Sequence, residues 1–146
     1  QQTLEMEYPF ASVGAPPTEQ DVINLQQIVN DLSARGNFDG RPFSELLSNR
    51  PPAVIFNEPS VARDARIVAA YFPDRNVITF KTGKTSPEAV KHEFFHAAQN
   101  YFLGASFCSQ HDCEGPAYAF EDSFHKVLFM LGRPHYDPRT DWIKFA

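Results

Sequence analysis

The sequence predicts an α+β fold in which a small twisted sheet packs on two long helices. Three observations lead there. Strand-like runs fill the middle of the chain, at Ala53–Phe56, Arg66–Phe72 and Asn76–Lys81. Two well-signposted helical patterns follow, opening near Thr85 and near Glu114. At 146 residues, 14 of them Phe, the chain suits one domain (1–146) with a sizeable core.

Residues 1–17 read as an extended lead-in, because Pro9, Pro16 and Pro17 oppose helix. Thr18, with Asp21 three residues later, then opens a helix. Val22, Leu25, Ile28, Val29 and Leu32 recur at helical spacing until Gly36. Residues 36–41 (GNFDGR) form a turn, and a short helix over Phe43–Leu47 stops before Pro51-Pro52. Asn57-Glu58-Pro59 ends the first strand, and Pro73-Asp74 turns a hairpin between the other two.

The second major helix takes Thr85 or Ser86 as its cap, Pro87 in its first turn, and Glu88 to complement the positive end of the helix dipole. Gly104 is its stop. After a loop over 105–113, a third helix is expected from about Glu114 to Leu131, with Ala117, Phe120, Phe124, Val127, Leu128 and Leu131 on one face. Pro116 is tolerated because it falls in the first turn. The tail around Pro134 and Pro138 should pack irregularly, anchored by Trp142.

Composition excludes two classes of function. A net charge of -5 and a pI near 5.5 do not suit a general nucleic-acid binder. No run approaches the roughly 18 apolar residues of a membrane span. Cys108 and Cys113 can close a small disulfide loop in an oxidising compartment. Together with a start at Gln1-Gln2, they lean towards a secreted or periplasmic protein, or a piece of a longer one.

One stretch carries chemistry: residues 91–99, KHEFFHAAQ. His92 and His96 lie four apart on the second major helix, so both imidazoles project from one face and can grip a single ion. Glu93 is rotated about a hundred degrees from His92, beside the ion rather than on it, where it can take a proton from water. The chain's own His and Glu frequencies give this spacing about a 1% chance of arising by accident. The bland alternative is two half-buried histidines on a core helix. A catalytic zinc needs a third protein ligand. Gln99 and Phe102 occupy the positions where HExxHxxGxxH has Gly and His, so that form is excluded. The other common solution takes a Glu from a following helix.

His92-Glu93-x-x-His96, followed 18 residues later by Glu114-Gly115-Pro116-Ala117-Tyr118-Ala119-Phe120-Glu121, resembles the gluzincin-type zinc metallopeptidases. The resemblance covers roughly residues 67–131. It implies a zincin-like fold, Zn²⁺ held by His92, His96 and Glu114 in preference to Glu121, Glu93 as general base, and a protein or peptide substrate. It also implies that Val77–Lys81 is the edge strand lining the cleft. Tyr118 departs from the Asp or Asn usual four residues after the ligand Glu; either its phenol or Asp122 could support a ligand histidine instead. A Tyr or His should stabilise the oxyanion. Tyr118 and His125 come first among candidates that also include His111, His135 and Tyr136.

Two rivals remain: a non-catalytic binding module on a zincin scaffold, and a toxin-like protease segment of a larger secreted protein. An intact Glu93 speaks against the first. A metal site built from Cys108, His111 and Cys113 lacks CxxC spacing and a fourth ligand, so the disulfide is the simpler reading.

Overall fold

The computed structural model describes residues 7–38, 40–123, 126–129 and 142–145, with Ala119 and everything from residue 121 described as backbone only. The lead-in contributes strand β1 (Ala11–Ser12) before helix α1 (Glu19–Arg35). Thr18 and Asp21 form the expected reciprocal cap: Asp21 N–H donates to Thr18 Oγ1 (3.0 Å) and Thr18 N–H to Asp21 Oδ2 (2.9 Å). The turn after Gly36 is a minimal hairpin of β2 (Asn37–Phe38) and β3 (Arg41–Pro42). It leads into helix α2 (Phe43–Asn49).

Strand β4 (Ala53–Phe56), the short helix α3 (Pro59–Ala62), and strands β5 (Ala69–Phe72) and β6 (Val77–Phe80) follow. The sheet order is β1-β4-β6-β5: β1 and β6 run parallel to β4, while β5 pairs antiparallel with β6 across the Pro73-Asp74 turn. This corrects the edge-strand expectation. Val77–Phe80 lies inside the sheet, and the edge strand next to it is Ala69–Phe72, with Ala11–Ser12 at the opposite edge. Burial tracks this order: all four residues of β6 are buried, whereas those of β5, at the border of the sheet, are only partly covered.

Helix α4 (Pro87–Leu103) is capped by Ser86, whose hydroxyl accepts from Ala89 N–H (3.1 Å), and ends at Gly104, where φ is 98°. A single turn, α5 (Phe107–Gln110), precedes α6 (Glu114–Ser123). The third helix is therefore shorter than the sequence suggested. Lys126–Phe129 instead forms strand β7, paired antiparallel with β8 (Trp142–Phe145). The run Val127-Leu128-Phe129 fits either period, and an apolar run this short does not reveal which.

Phenylalanine dominates the core. Phe95 stacks on Phe120 (4.7 Å) and Phe120 on Phe43 (5.5 Å), which locks α6 and α2 against α4. On the far side Asp21, 3% exposed, ties α1 to the segment that launches α4, accepting from Gly83 N–H (2.7 Å) and Thr85 N–H (3.3 Å). Burial pushes its pKa up, but the bonds from Gly83, Thr18 and Thr85 outweigh that and hold it below the usual carboxylate value. Asp21→Ala should cost roughly 3 kcal/mol at neutral pH, lowering Tm by about 10 °C. Because the folded-state pKa is depressed, this contribution is complete above the unfolded value near 3.9 and fades as pH falls through the folded one. The gap between the two thermal melts should therefore narrow as pH falls below about 4; a gap unchanged down to about pH 2 would exclude this role for the carboxylate charge.

Candidate metal centre

Helix α4 presents His92, His96 and Gln99 along one stripe, at the i, i+4, i+7 spacing that aligns side chains on one face. That stripe faces the start of α6, where Glu114 is the first helical residue and donates its N–H to Asp112 Oδ1 (2.8 Å). The Cys108–Cys113 disulfide closes the loop immediately before it.

The three sequence-predicted ligands come together. His92 Nε2 lies 3.0 Å from Glu114 Oε1, His96 Nε2 lies 3.0 Å from Glu114 Oε2, and the two Nε2 atoms are 3.1 Å apart. A tetrahedral ion with bonds of about 2.0–2.1 Å holds its ligand atoms about 3.3 Å apart, so the cluster needs only slight expansion to admit one. His92, His96 and Glu114 could hold a metal ion. The two imidazoles set against it hold the Glu114 carboxyl well below the ordinary carboxylate range, against an opposing push from partial burial.

Glu93 is 6% exposed and lines the same cleft, of about 550 Å³, as the three ligands. Edge strand β5 forms the cleft's other wall through Ala69, Ala70 and Tyr71. A second cavity of about 430 Å³ shares Tyr71, His96 and Glu114 with the first and reaches the disulfide and His111. The cluster thus sits where two hollows meet. A larger apolar cavity of about 680 Å³, beneath Tyr8 and Phe10, contains none of these residues.

No family model, curated protein or solved structure matches the chain. What the centre can do follows from its own donor set.

The other candidates fall in three places. Tyr118 is near the ligands, 61% exposed, its ring 4.7 Å from that of His92. His111 stacks on Phe107 (4.2 Å) beside the second cavity. His125, His135 and Tyr136 lie outside the described residues, as do the side chains of Glu121 and Asp122. Sequence reasoning missed two residues. Gln99 is fully buried and bonded to His96, and its place on the histidine stripe was the available signal. Tyr71 borders both hollows, its hydroxyl donating to Asn76 Oδ1 (2.7 Å) and accepting from Asn100 Nδ2 (3.0 Å). Only its strand position hinted at this. Among the described residues no helix is long and apolar enough to cross a membrane.

Proposed function

We propose that the chain is a zinc-dependent peptidase of zincin-like fold, gluzincin in type, with His92, His96 and Glu114 as metal ligands and Glu93 as general base. One observation carries this reading: two imidazoles and a carboxylate converge in a cleft that also contains a buried second carboxylate. Two nitrogens and an oxygen suit zinc, and three ligands leave a position open for reactants. When bound, zinc would supply Lewis-acid polarisation of a carbonyl and a lowered pKa for water.

The chain's own residues do the rest. Glu93 takes a proton from the attacking water as the new C–O bond forms, then delivers it to the amine as the peptide C–N bond breaks. The substrate backbone adds in extended form along β5, the edge of the sheet. Tyr118 would donate its phenolic hydrogen to the oxyanion, a reading supported by its exposed ring beside His92. The disulfide supports an extracellular or periplasmic setting.

The deciding experiment is zinc content by mass spectrometry, followed by digestion of a mixed peptide library. About one zinc per chain, with cleavage abolished by a chelator and restored by zinc, is expected. Zinc bound without any cleavage would favour the binding module; cleavage confined to one protein target would favour the toxin-like segment. No zinc uptake would end the peptidase reading.

A further inference from the structure

Gln99 is 0% exposed, on a helix whose buried neighbours are Phe94, Phe95, Ala97 and Ala98. A buried amide is costly unless both of its ends are bonded. Both are. Gln99 Nε2 donates to the Cys113 carbonyl (3.1 Å), and Gln99 Oε1 lies 2.8 Å from His96 Nδ1.

These two contacts determine each other. A backbone carbonyl can only accept, so Cys113 selects the NH₂ end of the amide and turns the oxygen towards His96. That oxygen can also only accept, so the proton of the contact belongs to His96 Nδ1. A neutral ring protonated at Nδ1 carries its lone pair on Nε2. Nε2 is the atom that faces Glu114 and His92, at 3.0 and 3.1 Å.

We propose that Gln99 is a positioning residue for the metal centre: it keeps the proton of His96 on Nδ1 and fixes the ring so that Nε2 is offered to the ion, while the disulfide-bonded Cys113 fixes the orientation of Gln99. The metal half of this rests on the peptidase reading; the hydrogen-bond half does not. The arrangement gives the Cys108–Cys113 loop two holds on the centre. It presents Glu114 directly, and it orients His96 through Gln99.

The test combines spectroscopy with metal affinity. Long-range ¹H–¹⁵N spectra of the metal-free wild type should show the His96 proton on Nδ1. Gln99→Met keeps the side-chain length and removes both bonds. It should lose that signal and bind zinc 10- to 100-fold more weakly in competition with a chromogenic chelator. Gln99→Glu keeps an acceptor towards Nδ1 and, when protonated, a donor towards Cys113, so its affinity should stay within about threefold of wild type. A His96 proton on Nε2 alone in the wild type would overturn the proposal, whether or not either variant folds. So would a folded Gln99→Met that binds zinc as tightly as wild type, or equal weakening by both substitutions, which would mark a packing role. If the wild type takes up no zinc, the peptidase reading fails, and the Nδ1 signal still decides what Gln99 does.

Discussion

Glu93→Gln should leave zinc content at the wild-type level while lowering kcat/KM for peptide hydrolysis about a thousandfold, equivalent to about 4 kcal/mol of transition-state stabilisation. The two halves of this result have separate causes. The substitution nearly preserves shape, and position 93 is turned about a hundred degrees from His92, so the ligand set is untouched. The amide has no basic oxygen, so the attacking water keeps its proton until something weaker removes it. Glu93 is 6% exposed, which leaves bulk buffer poorly placed to substitute. Metal content and steady-state kinetics on one preparation check both halves. Activity within tenfold of wild type would remove Glu93 from the mechanism, and a parallel loss of zinc would make it part of the binding site instead.

Glu114→Gln should reduce zinc from about one per chain to a small fraction of that after purification without added metal, and Glu121→Gln should not. Both Glu114 oxygens lie 3.0 Å from an imidazole nitrogen, so this carboxylate belongs to the cluster itself. Replacing it removes a negative charge as well as a ligand atom. The loss of affinity should therefore exceed the 10- to 100-fold usual for a residue that only supports a ligand. Mass spectrometry of the three proteins decides the matter. Zinc lost with Glu121→Gln alone would move the third ligand two turns along α6 and keep the enzyme reading. Zinc lost with neither would leave His92 and His96 with a different partner.

The features legible in sequence are those that local chemistry sets. Thr18 with Asp21, and Ser86 with Pro87, mark helix starts because the first orphan N–H groups need nearby acceptors. Pro73-Asp74 between two strand-like runs marked the β5–β6 hairpin for a similarly local reason. His92, Glu93 and His96 were legible because helical spacing fixes their relative directions. What long-range packing sets was not legible. The order of strands depends on β4 inserting between β1 and β6, which no window around residue 77 reveals. The end of α6 depends on a pairing with residues 142–145. Gln99 gains its role only because the Cys113 carbonyl is brought within 3.1 Å of it, and nothing in KHEFFHAAQ announces that.

The ligands also lie close together along the chain. From His92 to Glu114 is a span of 22 residues, whereas the β1–β4 pairing joins Ala11 to Ile55 across 44. By chain entropy alone that doubling adds only about 0.6 kcal/mol to the cost of closure. The larger difference is in kinetics, since distant parallel pairings form slowly and local helical contacts form fast. The three candidate ligands are therefore gathered by one local stretch of chain, whereas the β1–β4 pairing must draw together distant ones.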